Sequence, residues 1–210
     1  MIIGRERERA DLEHLIASGK SEFVAVYGRR RIGKTFLIRE TCRYQFAFEH
    51  TGLKNTLSDE NGHDVAVKDA TKRQLSEFAV SLRRHGRVKK SVPKDWFAAF
   101  HLLEDLLEEK PEGRKIVFLD ECPWMDTPRS DFLAALDHFW NGWCTMRKDI
   151  LLIICGSAAS WVLNKIAKVQ KKNESSKKNT RKIKNCLQSS KEAVFIHHYS
   201  AVVFSIRKCR

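Results

Sequence analysis

The stretch Gly28-Arg29-Arg30-Arg31-Ile32-Gly33-Lys34-Thr35 fits the pattern G-x-x-x-x-G-K-[ST] and decides the fold class of this 210-residue chain. A β-prone run, Glu22-Phe23-Val24-Ala25-Val26-Tyr27, precedes it, and helical patterning resumes directly after it at Phe36. Strand, loop and helix in that order are the context in which this pattern binds phosphate groups. A basic turn that matches by chance is the alternative, and four constrained positions in the right context make it the weaker one.

The loop offers the atoms that a nucleotide's phosphate chain needs. Glycine lets the backbone wrap closely around an anion, and successive N–H groups with the following helix N-terminus would cradle it. Lys34 would bridge the β- and γ-phosphates, and the Thr35 hydroxyl would coordinate Mg²⁺. The predicted nucleotide-binding residues of the loop are Gly28, Arg29, Arg30, Arg31, Ile32, Gly33, Lys34 and Thr35.

A second apolar run ends in two carboxylates. Ile116-Val117-Phe118-Leu119 is typical of a strand buried on both faces, and Asp120 and Glu121 follow it. Ligands of open parallel sheets bind at the carboxyl ends of the strands. Asp120 would therefore hold Mg²⁺, and Glu121 would act as the general base on the attacking water. A strand-terminal acidic turn is the alternative.

A third apolar run, residues 150–155, predicts another buried strand and ends at Gly156 and Ser157. The Ser157 hydroxyl would lie near the γ-phosphate or the attacking water, which adds Ser157 to Glu121 and Lys34 as a candidate catalytic residue. An ordinary helix cap by Ser157 is an equally good interpretation and stays open.

The remaining sequence alternates helical and extended patterns. Helices are predicted over residues 6–18, over 69–84 and from Pro93 to Pro111, and Thr127 is expected to cap a helix that has Pro128 at its first position. Residues 45–51 are expected to form a strand, and residues 54–68 a loop. Strands that alternate with crossover helices predict an α/β domain with a mainly parallel sheet flanked by helices.

The formal net charge of +13 suggests a nucleic-acid partner, but its distribution weakens that interpretation. Residues 168–210 contain twelve Lys and Arg and two Asp and Glu, so this tail carries +10 and residues 1–167 carry +3. Residues 168–192 are predicted to be a disordered basic linker, and residues 193–210 an apolar tail that is a candidate strand. A non-specific nucleic-acid-binding module that uses residues 83–90 and 168–184 stays open as a second function, although neither segment has interleaved aromatic residues for stacking.

Other classes of protein are disfavoured. The longest apolar run is far shorter than the roughly 20 residues that span a bilayer, and charged residues 5–8 stand where a secretory signal needs an apolar core, so we expect a cytoplasmic protein without membrane contact. Six scattered cysteines without a C-x-x-C pair argue against disulfides and zinc. The segment Asn164-Lys165-Ile166-Ala167 lacks the Asp of the guanine motif N-K-x-D, so ATP is the expected nucleotide.

Four segments together resemble one family, the archaeal-type AAA+-related ATPases that are close to the STAND signalling ATPases. The resemblance covers about residues 1–167. It implies a P-loop NTPase core in which the strand bearing Ser157 lies between the Gly28 and Asp120 strands, with Gly4 and Arg5 near the adenine, Ser157 at the γ-phosphate, and Asp120 and Glu121 as the magnesium and water-activating carboxylates. The segments are Ile3-Gly4-Arg5-Glu6, residues 27–35, residues 118–126 and Cys155-Gly156-Ser157-Ala158.

The sequence departs from the family after residue 167. Relatives continue with a glycine-rich turn, an arginine, a fifth strand, a helical lid and further domains, whereas Lys168 begins low-complexity sequence. We therefore expect a core that is incomplete on its C-terminal side, a truncated or frameshifted product whose inherited chemistry is Mg²⁺-dependent ATP hydrolysis. Without the arginine and the lid, ATP binding could survive while turnover falls to near zero. A nonfunctional fragment is a third interpretation, and nothing in the sequence supports a homo-oligomer. Without the fifth strand the Gly28 strand would be an exposed sheet edge, and we hypothesise that residues 193–206 pair there.

Overall fold

The computed structural model describes residues 5–58, 64–66, 68–87, 91–157, 161, 196–198 and 201–206. Five helices and eight strands lie in these ranges. The helices are α1 (Glu6–Ala17), α2 (Lys34–Thr41), α3 (Ala70–Arg84), α4 (Trp96–Glu108) and α5 (Phe132–His138). The strands are β1 (Glu22–Gly28), β2 (Phe48–Thr51), β3 (Thr56–Ser58), β4 (Asp64–Ala66), β5 (Lys115–Asp120), β6 (Ile150–Gly156), β7 (Ile196–His198) and β8 (Ala201–Ile206).

The main sheet has the strand order β2-β5-β6-β1-β8-β7, and all its pairs except β7 with β8 are parallel. Strand β6 lies between β1 and β5, so the implied position of the strand bearing Ser157 is confirmed. In the register Tyr27 is opposite Gly156, and Leu119 is opposite Ile154. The loops that follow β1, β5 and β6 therefore leave the sheet at the same edge.

The edge of β1 is covered by the C-terminal part of the chain. Strand β8 pairs in parallel with β1, from Phe23 opposite Ala201 to Gly28 opposite Ile206. The hypothesis that residues 193–206 pair with the Gly28 strand is thus confirmed for β8, and β7 adds a short antiparallel strand outside it. The expected disorder of residues 168–192 concerns a segment outside the described residues.

Strands β1, β5 and β6 are buried on both faces, as their continuous apolar runs predict. Alternate residues of β1 point to opposite faces, with Phe23 and Ala25 in a core shared with α3, α4 and α5, and Val24 and Val26 in a core shared with α1 and α2. Every residue of β5 and β6 is buried. The α/β class with a parallel sheet flanked by helices is confirmed, and no helix in the described ranges is long and apolar enough to cross a membrane.

The expected helix capped by Thr127 is wrong. The Thr127 hydroxyl lies 2.6 Å from the Thr71 hydroxyl at the start of α3, so it does not cap a helix, and α5 begins only at Phe132. The Ser130 hydroxyl accepts from the Phe132 N–H at 3.4 Å instead. After His138 the chain continues as one wide π turn, Phe139–Trp143.

Two smaller expectations also need correction. Residues 54–68 are not only loop, since β3 and β4 form a short antiparallel hairpin with Leu57 opposite Val65. Three-residue strands are too short for an alternating pattern to reveal them in the sequence. Pro93 does not open α4, because Asp95 is the N-cap, and its carboxylate accepts from the Ala98 N–H at 2.8 Å. The predicted helices over 6–18 and 69–84 and the strand within 45–51 are confirmed.

His50 on β2 gives the fold a pH dependence. Its side chain is 3% exposed, Nδ1 lies 2.9 Å from the Ser81 hydroxyl, and burial lowers its pKa from 6.5 to about 4. The unfolded chain therefore binds a proton between these pH values that the folded chain does not, so stability falls as the pH falls from 6.5 to 4. We expect this residue to remove about 3 kcal/mol of unfolding free energy over that interval.

Urea denaturation of the wild type and of His50→Gln across pH 4 to 7 measures the effect. In His50→Gln, most of the fall in unfolding free energy between pH 6.5 and pH 4 should disappear. The same substitution at the exposed His14 should leave that fall unchanged. A wild-type slope that His50→Gln does not reduce would contradict the assignment.

Candidate functional site

The loop of residues 28–35, called here the GRRRIGKT loop, connects β1 to α2 through a left-handed turn. Arg31 has φ 62° and Gly33 has φ 84°, and Gly33 is the residue directly before α2. Glycine adopts this backbone conformation without the steric cost of a Cβ. The turn brings the chain around so that α2 begins at Lys34, beside the end of β1.

Lys34 lies inside the curve of the loop. Its side chain is buried, and the ammonium donates to the carbonyl oxygens of Gly28 at 3.0 Å and Arg29 at 2.9 Å. Both of these acceptors are uncharged, so neither neutralises the ammonium. The loop therefore concentrates positive charge at the carboxyl end of β1.

Thr35 joins this loop to the end of β5. Its hydroxyl donates to Asp120 Oδ2 at 2.8 Å, although β6 lies between the two strands, and Asp120 Oδ1 accepts from the Glu121 N–H at 2.9 Å. Both carboxylate oxygens of Asp120 are thus held in place. A hydroxyl and a carboxylate at this distance present two oxygen atoms on one side of the loop.

Glu121 is the second residue of the acidic turn, which is the name used here for residues 120–125. It has φ 45°, uncommon for a residue other than glycine, and its Oε2 is buried without a hydrogen-bond partner in the part of the chain that the structure describes. Burial, and then the neighbouring Asp120, raise the pKa of the carboxyl, while Arg30, Lys34 and the Ser157 N–H act in the opposite direction. A partly desolvated carboxylate with a raised pKa is a better proton acceptor than an ordinary surface glutamate.

Two glycines allow the acidic turn to press against the sheet. A Cβ on Gly52, after β2, would lie 2.7 Å from the Glu121 carbonyl oxygen, and a Cβ on Gly156 would lie 2.5 Å from Pro123 Cδ. At either position a Cβ atom would force the neighbouring atoms to move. The acidic turn is thereby in close contact with the end of β2 at Glu121 and with the end of β6 at Pro123.

These elements enclose a cleft of about 740 Å³. It is lined by residues of the GRRRIGKT loop, by both carboxylates and by Phe36, which sequence analysis did not select: Arg30, Arg31, Gly33, Lys34, Thr35, Phe36, Asp120 and Glu121. Gly28 and Arg29 do not line the cleft, but their carbonyl oxygens accept hydrogen bonds from Lys34, which does. Ile32 packs instead against the core beneath α1 and α2.

The remaining candidate residues are placed less fully. Ser157 follows β6, and its N–H faces the Glu121 carboxyl. Arg5 lies at the start of α1, outside the cleft lining, where its guanidinium contacts Glu8 Oε1 at 3.1 Å. Gly4 lies outside the described residues. Of the basic segments, residues 83–87 lie at the end of α3, and residues 88–90 and 168–184 are also outside the described ranges.

The site fits a nucleotide with magnesium. The loop offers cationic side chains and a helix start, and the orphaned Glu121 Oε2 points to an absent polar partner. Mg²⁺ is typically held by one or two protein oxygens together with phosphates and water, and Thr35 with Asp120 supplies that number. No group of three or more His, Cys, Asp or Glu among the described residues forms a protein-only metal site.

A parallel sheet with β6 between β1 and β5, and with this loop after β1, is the fold of the P-loop ATPases. Solved structures agree. The Walker-type ATPase of Pyrococcus abyssi superimposes with a TM-score of 0.52 at 15% sequence identity, and the match covers 81% of this chain and 49% of that ATPase. Cdc6p from Pyrobaculum aerophilum superimposes with a TM-score of 0.51 at 16% identity, and the match covers 97% of this chain and 46% of Cdc6p. The model of the ATPase domain predominantly from Archaea matches residues 2–194, and the chain belongs to that family.

The match extends past residue 167, the expected end of the core. A curated relative, an uncharacterized protein of Methanocaldococcus jannaschii, is 26% identical over 166 residues, which cover 79% of this chain. The chain spans about a third of the length of that relative, since the matched part is 32% of it. The comparisons therefore establish an ATPase-family domain.

The Gly156 contact leads to a stability prediction. Gly156→Ala forces a methyl group against Pro123, so the acidic turn or β6 must shift, and we expect a loss of about 1–3 kcal/mol of unfolding free energy. Gly19→Ala is the matched control, because its Cβ would meet nothing within 4 Å, and its effect should be about 0.5 kcal/mol or less. Urea denaturation compares the two, and equal stabilities would show that the turn is not pressed against the sheet as described.

Proposed function

We propose that the chain binds ATP and hydrolyses it with Mg²⁺, with residues 1–167 as the ATPase core. The observation that carries this proposal is the 2.8 Å hydrogen bond from Thr35 to Asp120, because it places the GRRRIGKT loop and the acidic turn at one cleft. Family membership supports the general activity. The residue roles are our own assignment.

The proposed roles follow from the contacts. Lys34 exchanges its two carbonyl acceptors for oxygens of the β- and γ-phosphates, and the N–H groups of residues 28–35 hold the rest of the phosphate chain. Arg29, Arg30 and Arg31 are exposed on the loop and add positive charge around it. Gly4 and Arg5 are the proposed neighbours of the adenine. Thr35 and Asp120 are the protein ligands of Mg²⁺, which when bound neutralises charge on the phosphate oxygens.

Glu121 is the proposed general base. Its carboxylate accepts a proton from a water molecule as that water attacks the γ-phosphorus. A phosphorus–oxygen bond to the water oxygen forms, the bond to the β-phosphate bridging oxygen breaks, and ADP and inorganic phosphate leave. The Ser157 hydroxyl is the proposed contact of the γ-phosphate, and the position of the Ser157 N–H beside the Glu121 carboxyl supports this role.

Two substitutions separate binding from hydrolysis. Lys34→Ala removes a charged donor to the phosphates and should weaken ATP affinity about tenfold to a hundredfold. Glu121→Gln keeps the shape of the side chain without a proton acceptor, so it should bind ATP about as tightly as the wild type and reduce any turnover about a hundredfold or more. Calorimetric titration with ATP and release of inorganic phosphate are the two measurements.

Lys20→Ala is the control for charge, because Lys20 is exposed and precedes β1 at the opposite end of that strand. It should leave affinity and turnover unchanged. Equal ATP affinity of Lys34→Ala and the wild type would sink the assigned binding site, and undiminished turnover in Glu121→Gln would remove the proposed base.

A further inference from the structure

Trp124 connects the acidic turn to the GRRRIGKT loop. Its backbone N–H donates to the Glu121 carbonyl at 2.9 Å, and this bond closes the short 3₁₀ turn Cys122–Trp124 directly after Glu121. The Arg30 guanidinium lies over its indole ring, with Cζ 5.3 Å from the ring centroid. Arg30 also lines the cleft and is close enough to Glu121 to affect that carboxyl electrostatically. Trp124 of the acidic turn is therefore in cation–π contact with Arg30 of the GRRRIGKT loop.

Gln74 holds the backbone of Trp124 from the opposite side. It lies on α3 with no exposed surface, and its Nε2 donates to the carbonyl oxygens of Trp124 at 2.9 Å and Leu53 at 2.6 Å. Nε2 also lies 2.9 Å from Asn55 Oδ1, while Oε1 accepts from the Leu53 N–H at 3.0 Å. Asn55 donates to the same Trp124 carbonyl at 2.6 Å. Both ends of the buried amide are thus used, and three segments of the chain meet at it.

This arrangement exceeds what folding of α3 requires. The buried face of α3 otherwise packs through Leu75, Phe78, Ala79 and Leu82, and a buried amide is costly unless its hydrogen bonds are made. Here one of those bonds, together with the bond from Asn55, holds the carbonyl of Trp124, the residue whose indole ring contacts Arg30. An exposed arginine side chain has many rotamers. A cation–π contact with an aromatic ring favours the rotamer that makes it by about two- to fivefold over the others.

We propose that Gln74 is a positioning residue of the nucleotide site: by anchoring the Trp124 carbonyl it fixes the indole ring that holds Arg30 over the cleft. The inference rests on the proposed function for its consequence in ATP binding, but the link from Gln74 through Trp124 to Arg30 exists in the protein without nucleotide. Bound phosphate then meets an arginine already placed at the cleft.

A double-mutant cycle on the full chain without nucleotide tests the link from Gln74 through Trp124 to Arg30. Its readout is acrylamide quenching of Trp124, obtained for each protein as the difference from the same protein carrying Trp124→Phe. Arg30→Ala uncovers the ring and should raise the quenching constant about twofold. Gln74→Met, of similar size but without the amide, should raise it as much, and the double variant should show no further increase. Additive effects, or no effect of Gln74→Met, would overturn the proposal.

Ser81→Ala is the matched control for loss of a buried hydrogen bond, because Ser81 lies on α3 and contacts His50 at 2.9 Å. It should lower the melting temperature and leave the Arg30→Ala effect at its full twofold. If Gln74→Met does not fold, Asn55→Ala takes its place, since it removes the 2.6 Å bond to the same carbonyl from a half-buried position. A cycle with Asn55→Ala that is additive would equally reject the link.

ATP affinity separates this inference from the proposed function. Arg30→Ala, Gln74→Met and their double variant should each bind ATP about two- to fivefold more weakly than the wild type. A wild type that does not bind ATP would refute the proposed function, and the quenching cycle would still decide on Gln74. Binding that is weakened by Arg30→Ala but not by Gln74→Met would reject the positioning role alone.

Discussion

The hydrogen bond between Thr35 and Asp120 is the contact on which the site depends. The two residues belong to loops after β1 and β5, and β6 separates those strands, so the bond forms only when all three strands are parallel and in register. The buried apolar runs of these strands supply that register. The packing of the sheet is in this sense the cause of the geometry of the site.

The site collects charges that the rest of the fold must stabilise. Asp120 is buried and Glu121 is partly buried, and burial together with the neighbouring Asp120 raises the pKa of Glu121. Arg30, Lys34 and the Ser157 N–H favour the ionised form of Glu121. The Thr35 hydroxyl and the Glu121 N–H donate to Asp120. Around the left-handed Glu121, the acidic turn is held by the close approach of Gly52 to the Glu121 carbonyl, by that of Gly156 to Pro123, and by the hydrogen bonds to the Trp124 carbonyl. A carboxylate so constrained is suited to the proposed proton transfer.

The sequence predicted those parts whose signal is local. The GRRRIGKT loop and the strands before Asp120 and Ser157 are contiguous, and their placement at one sheet edge follows from parallel pairing. The prediction that Thr127 caps a helix is wrong because the hydroxyl contacts Thr71, which is distant in sequence. The sequence shows Gln74 as a polar residue on the apolar side of a helix, which indicates a buried amide. Its partners could not be predicted, because they lie in two other segments of the chain. Contacts of this kind depend on the tertiary structure alone.

The most direct test of the account is the effect of Mg²⁺ on ATP affinity in the wild type and in Asp120→Asn. If Thr35 and Asp120 form the metal side of an ATP site, Mg²⁺ should strengthen ATP binding by the wild type, and Asp120→Asn should reduce that gain about tenfold or more. Asp105→Asn, an exposed position on α4, should retain it in full. An equal gain in Asp120→Asn and the wild type would contradict the central claim that these two loops form one magnesium–nucleotide site.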